Sequence, residues 1–504
     1  MTPHRLSPAR LVAGALALLL LVIMPAGCVE AQEDPSAIIT EESVYNRLYF
    51  LASDGLRGRD TPSPGLDAAA AWLVSEHRQM GLEPAGEDGT FYQRWPYRQT
   101  APGEGAVTLR GSAGSVNLTQ GENAAIRGAV DGTLGAEIVV VSDPSAGLDE
   151  GQLSGQVALF RHTGEPSQPW RQGLNQLRNL ADRAGAVVAL VVVDDAAGEE
   201  LGNLAQTFSN PTWSMGWDDP QAQIVVTEST ARGAIPETME LLDGTGVETV
   251  ADARLEGTLP AEVLVDGRPA NVVAMIRGSD PELADEYVVL SAHYDHVGVG
   301  QPMDGDSIYN GADDNGSGTV ALLETARAIS QMDEAPRRSV LFVHVSGEEK
   351  GLLGSSWFVD HPTVPEGSMI ANINADMVGG DHHRDSLIVI GKTYSDLGPL
   401  VDEVNDGLDL GLVTSDDLWP EQRFFFRSDQ FHFMRKEIPS LFFFTGVHEC
   451  YHRPCDTVDF VSHDKIARVA RLLTHSVLEI ANRDARPEWD PAGLAEVREL
   501  VGSR

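Results

Sequence analysis

Apolar residues first recur at helical spacing from Ser36 onward. Ile38, Val44, Leu48, Tyr49 and Leu51 fall on one face, so this stretch reads as a helix. Gly55 to Gly65 is a turn-rich break, and Leu66 to Met80 gives a second helix ended by Gly81. From about Gln99 the texture changes. Short β-like runs (Ala136 to Val141, Gln156 to Arg161, Val187 to Val193, Gln223 to Val226) alternate with Gly- and Asp-rich loops, and one helix, Trp170 to Ala184, sits among them. From Asn271 strand and helix alternate. Asn271 to Ile276, Tyr287 to Ala292, Ser339 to Val345, Met369 to Asp376, Ser386 to Ile390 and Ser440 to Thr445 have strand length and strand composition. Asn315 to Met332, Leu352 to Asp360, Asp396 to Leu408 and Asp464 to Asn482 have helical patterns. The fold class predicted is α/β: a mixed, mostly parallel β-sheet sandwiched by helices, with functional groups at the carboxyl ends of the strands.

The N-terminus departs from this pattern. Leu11 to Met24 is almost unbroken apolar sequence preceded by Arg5 and Arg10, which reads as an export signal over residues 1–31. The run is too short and wrongly flanked for a good membrane span. Two processing sites compete: a lipoprotein site that makes Cys28 the lipidated first residue and a membrane tether, or cleavage after Ala31. The expected location is exported, periplasmic or cell-envelope, with secretion as the variant. Cys450 and Cys455 would be the remaining cysteines; an exported compartment permits a disulfide between them, and two buried thiols is the equal alternative.

Composition narrows the partners. The chain of 504 residues has 36 basic and 75 acidic side chains, a formal charge of −39. Nucleic acid is excluded as a partner, because a phosphate backbone needs a basic face.

Chemistry-bearing residues gather where strands end. The run YVVLSA leads into His293, Tyr294, Asp295 and His296; SVLFVHVSG into Glu348 and Glu349; MIANINAD ends in Asp376; SLFFFTG leads toward His448 and His452. Asp313 and Asp314 stand in a glycine-rich turn before a helix. Buried carboxylates need a compensating charge, and these segments hold few Lys or Arg. A metal ion meets that need, and a His and carboxylate set without Cys favours Zn²⁺. The acidic turn would repel phosphate, so Gly311 to Gly318 is read as a ligand-bearing turn and not a nucleotide loop.

The set SAHYDHVG, GADDNGSG, SGEEKGLLGS, NADMVG and YHRPCDT, in that order, resembles the co-catalytic dizinc aminopeptidase family. The resemblance spans Asn271 to about Asn482, with Ser36 to Tyr97 similar to the family's N-terminal helices. The segment QVALFRHTG, a helix, then AGAVVALVVVDD resembles a protease-associated domain. Together these imply a discontinuous catalytic domain over 36–98 and 258–490, an inserted domain over 99–257 and a C-terminal tail over 491–504. They also imply two Zn²⁺ per chain. His293, Asp314 and Asp376 would hold one, and Asp314, Glu349 and His452 the other. Glu348 would be the general base, Asp295 would orient His293, and Tyr451 would steady the tetrahedral intermediate. One carboxylate can serve two ions through its two oxygens, and two cations close together acidify the water between them.

The activity implied is exopeptidase hydrolysis at the N-terminus of peptide substrates. Alternatives on the same fold are a carboxypeptidase or dipeptidase, for which Arg427 or Arg453 could hold a substrate carboxylate, and a glutaminyl cyclase. A non-catalytic binding protein is the alternative of another class. His296 is read as a pocket-wall or hydrogen-bonded His, Asp313 as a loop stabiliser, and Arg427, Ser428 and Asp429 as pocket-shaping residues. His382 and His383 are read as solvent-facing. Trp419 and Phe424 to Phe426 are read as either pocket lining or core.

Overall fold

The computed structural model describes residues 34–215, 221–380 and 385–502. The proposed export signal with Cys28, and His382 and His383, lie outside them.

Three sheets carry most of the described chain. The nine-stranded sheet runs Glu83–Pro84, Ala270–Ile276, Ser339–Val345, Tyr287–His293, Met369–Ala375, Ser440–Phe444, Ser386–Ile390, Val413–Ser415, with Tyr92–Arg94 also paired to Ala270–Ile276. The four central strands are parallel. Their flanking neighbours, Ala270–Ile276 and Ser386–Ile390, are antiparallel to them. The expected parallel order therefore holds at the centre, and the flanks make the sheet mixed.

The central strands are apolar at nearly every position because both faces are covered. Val288, Leu290 and Ala292 point to one cover, with residues of the helices Glu41–Leu51, Pro64–Gln79, Gly318–Ser330 and His463–Asn482. Val289, Leu341 and Val343 point to the other, toward Phe358 and Phe433. Each such side chain taken fully from water contributes about 1.5–3 kcal/mol. The helices start where side chains can accept their free N–H groups: Thr40 from Ser43, Ser63 from Leu66, and Ser462 from Lys465.

The second sheet has eight strands: Gly114–Leu118, Ala106–Gly111, Val247–Leu259, Val130–Val141, Val157–His162, Val188–Val193, Ala222–Thr227 and Ala124–Arg127. It too has apolar packing on both faces, one of them against the helices Gln168–Arg183 and Gly198–Phe208. The second of these helices was not anticipated. The third sheet is small: Thr212–Ser214, Tyr97–Pro102 and Ala261–Gly267.

The stretch 491–504, expected as a tail, is instead a helix over Pro491–Gly502. Val497 is buried and, with Leu500 and Val501, packs beside Phe425, Phe431 and Met434. Three apolar positions in so short a segment do not stand out in sequence, yet they suffice to dock it.

Candidate active site

Loops at the carboxyl ends of the four central strands bring the predicted side chains together. The glycine-rich turn before the helix Gly318–Ser330 needs its glycines. Gly311 has φ of 61°, and a Cβ there would meet the Asp314 carbonyl at 2.3 Å. The turn is fixed by Asp456, whose carboxylate accepts from the backbone N–H of Asp313 at 2.8 Å and of Asp314 at 3.1 Å. His452 sits in the left-handed region at φ of 53°. Its loop is closed by a disulfide between Cys450 and Cys455, whose Cα atoms are 5.3 Å apart. The two cysteines are therefore a bonded pair, and the short ring holds Tyr451 and His452 between them.

Asp314 lies at the centre. Its Oδ1 is 3.4 Å from His293 Nε2, and its Oδ2 is 3.1 Å from His452 Nε2. Asp376 Oδ1 is 3.4 Å from His293 Nε2, and Glu349 Oε2 is 3.1 Å from His452 Nε2. Two groups of potential ligands result: His293, Asp314 and Asp376, and His296, Asp314, Glu349 and His452. The Nε2 atoms of His293, His296 and His452, and Asp376 Oδ1, are buried without a hydrogen-bond partner. Buried polar atoms are normally satisfied. Lone pairs converging on shared carboxylates fit metal ions, and a nitrogen and oxygen set fits zinc.

The charges respond to this crowding. Burial opposes the charge on His452, but Asp314 and Glu349 outweigh it and push its pKa up to about 10. His293 is likewise raised well above the usual imidazole range: burial opposes, and Glu348 and Asp376 prevail. Burial also opposes ionisation of Asp314, yet His293 and His452 hold it well below the usual carboxylate range. Glu348 moves the other way. Burial raises it, His293 resists, and the charges of Glu349 and Asp376 add to the rise. A carboxyl with raised proton affinity suits a proton-transfer group.

Asp295 stands beside both the His293 ring and the Glu348 turn. Its Oδ1 is 3.6 Å from His293 Nδ1, beyond hydrogen-bond reach, and its backbone carbonyl is nearer at 3.3 Å. The carboxylate instead accepts from the Glu348 backbone N–H at 3.2 Å and the Thr61 hydroxyl at 2.9 Å. Asp295 thus links the Glu348 turn to the neighbourhood of the His293 ring. His296 donates from Nδ1 to Glu349 Oε1 at 2.8 Å, a hydrogen-bonded His that also stands within the second ligand group. Asp313 stabilises its loop, accepting from the Gly379 N–H at 2.7 Å and contacting His448 at 3.2 Å; His448 is in neither ligand group.

Tyr451 stacks on the His452 ring at 3.9 Å and lines a pocket with Glu348, Asp376, Met377, Phe424, Arg427, Phe442, Phe444 and Val447. Phe424 is therefore pocket lining, with Trp419 packed edge-on behind it, whereas Phe425 belongs to the core beside the C-terminal helix. Ser428 donates to Asp376 Oδ2 at 2.7 Å and accepts from Asn374 at 2.8 Å. Asp429 is buried beneath, and burial raises its pKa to about 7.

Sequence reasoning missed two residues. Asp456 lies inside YHRPCDT, so its motif was visible but its task was not. Arg59 gave no signal, sitting in a turn-rich break. It is fully buried and donates to the carbonyls of Leu51, Tyr294, Asn310 and Gly311, which brace the loops bearing the site. Burial lowers its pKa to about 10, against the pull of Asp295 and Asp456.

A family model, Peptidase family M28, matches residues 271–477, the part of the chain that supplies the two ligand groups. That segment is similar to the family; the rest of the chain lies outside the match. Aminopeptidase YwaD of Bacillus subtilis (strain 168) is 27% identical over 240 residues, 46% of this chain and 49% of that protein. A probable zinc metalloprotease of Leptosphaeria maculans is 35% identical over 112 residues, 22% of this chain and 25% of that one. A solved aminopeptidase from Aneurinibacillus sp. strain AM-1 is 21% identical, with a TM-score of 0.49 over 91% of this chain and 98% of that one. The chain spans about half the length of the first curated relatives it matches.

Proposed function

We propose that this protein is a zinc aminopeptidase with two metal ions per chain. The observation that carries the reading is Asp314, which turns one oxygen toward His293 and the other toward His452. His293 and Asp376 would hold one ion with Asp314; Glu349 and His452 would hold the other, with His296 hydrogen-bonded to Glu349. When bound, the ions supply Lewis-acid polarisation of a carbonyl and acidification of a water.

The chain's own residues do the rest. Glu348 takes a proton from the attacking water and returns it to the departing amine. Its raised proton affinity favours the first half of that task, taking the proton from water. Asp295 and Thr61 keep the Glu348 turn in place. Tyr451 offers its hydroxyl to the oxygen on which charge develops. The pocket walled by Met377, Phe424, Phe442 and Phe444 takes an apolar side chain of the residue being removed. The acidic surroundings attract a free α-ammonium group, which favours N-terminal over C-terminal cleavage. Export by the N-terminal signal, with Cys28 as a lipid tether, and an access-shaping role for residues 99–257 belong to the same proposal.

The test is a panel of aminoacyl anilides and peptides, free or N-acetylated, assayed with and without a chelator. Free N-termini should be cleaved, acetylated ones should not, and chelation should abolish turnover. Cleavage that survives acetylation refutes the aminopeptidase reading; preferential loss when the C-terminus is amidated would favour the carboxypeptidase.

A further inference from the structure

The turn that carries Glu348 and Glu349 is held from two sides. Inside, Trp95 Nε1 donates to Ser346 Oγ at 3.0 Å, and its ring fills the space that a Cβ on Gly347 would need. Thr61 Oγ1 accepts from the Gly347 N–H at 3.1 Å. Trp95 directly follows the strand Tyr92–Arg94 of the nine-stranded sheet, and Thr61 precedes the helix Pro64–Gln79 that covers it.

The outer contact has a different origin. Trp213 lies in the strand Thr212–Ser214 of the three-stranded sheet, between the helix Gly198–Phe208 and the strand Ala222–Thr227 of the eight-stranded sheet. Its Nε1 donates to the Lys350 carbonyl at 2.5 Å. The Lys350 ammonium stands 5.8 Å from the Trp213 ring centroid, and pairs with Asp60 Oδ1 at 2.7 Å. Trp213 is 43% exposed, so burial of its ring does not account for a tryptophan here. The indole N–H aimed at the main chain does. The residue it holds directly follows Glu349, and tight bonds from Gly351 and Leu352 back to the Glu348 carbonyl make the turn a single unit.

We infer that Trp213 is a positioning residue for Glu348, so that the strand-rich segment 99–257 is a working part of the site. This rests on the reading of Glu348 as the base. Proton-transfer groups act within about 0.5 Å of their productive place, and a bond to the turn's outer edge limits its drift.

The experiment compares Trp213→Phe, which keeps the ring over Lys350 and removes the N–H, with Trp213→Ala, which removes both. Turnover and hydrogen exchange of the peptide 347–353 are measured on the full chain. Trp213→Phe should lower kcat about tenfold with KM within about twofold. The 347–353 amides should exchange faster, with the strand Tyr287–His293 unchanged as the control for folding. Trp213→Ala should lose at least as much. Wild-type kcat and exchange in both variants would overturn the inference, as would a change confined to KM, which would place Trp213 on the substrate. Should the wild-type chain cleave no N-terminal residue, the proposed function fails while the exchange result still decides on Trp213.

Discussion

The nine-stranded and eight-stranded sheets are built alike, with parallel strands at the centre and apolar packing on both faces. They differ at their strand ends. In the eight-stranded sheet Arg161 pairs with Asp243, and Asp195 lies exposed, accepting from the Ser229 N–H at 2.8 Å. Charge there meets opposite charge, backbone or water. In the nine-stranded sheet His293, Asp314 and Asp376 are buried, and Glu349 nearly so, and the carboxylates face imidazoles instead of arginine or lysine. A cavity of about 590 Å³ on the eight-stranded sheet, lined by Val107, Leu118, Gln120 and Leu259 among others, has no ionisable side chain. The smaller pocket holds Asp314, Glu348 and Asp376. Size does not mark the site; buried carboxylates facing imidazoles do.

The sharpest way to break this contrast is Glu348→Gln. The change keeps shape and removes the proton carrier, so kcat should fall by about 10²–10⁴ while metal content stays at the wild-type level. Retained turnover would remove Glu348 from the chemistry.

The buried imidazoles of the nine-stranded sheet also set how the site responds to pH. In the metal-free chain His452 titrates at about 10 and His293 well above its usual range, so both carry protons near neutrality. Their charge stabilises the metal-free fold fully below the unfolded imidazole pKa of about 6.5, and this contribution is lost as pH rises through about 10. Metal entry must expel those protons. Uptake at neutral pH should release at least one proton, with affinity rising about tenfold per pH unit for each proton released. Calorimetry in buffers of different ionisation enthalpy measures this, and uptake without proton release contradicts it. The smallest effect is expected at the other sheet: Asp195→Ala should leave kcat within about twofold and metal content unchanged. A larger loss would mean that the strand ends of the eight-stranded sheet take part.

Much of the nine-stranded sheet was legible because double-sided burial writes continuous apolar runs such as YVVLSA and SVLFVHV into the chain. The ligand set was legible because its members follow those runs directly. Less was readable where structure depends on single contacts. The Pro491–Gly502 helix docks through Val497 and two partly covered neighbours, which leave no periodic signature. Arg59 acts through backbone carbonyls of distant segments, so no pattern around it names its partners. Asp295 was placed near His293 correctly, but which atom it holds depends on turn geometry that spacing does not encode. Trp213 belongs to a strand of three residues, and its partner Lys350 is far away in sequence.

The central claim is that Asp314 serves two metal ions at once. Anomalous diffraction at the zinc edge from crystals of the purified, active protein tests it most directly. The account predicts two peaks, about 3.5–4 Å apart, one bound through each Asp314 oxygen. A single peak, or peaks that leave one Asp314 oxygen without a metal, would contradict it.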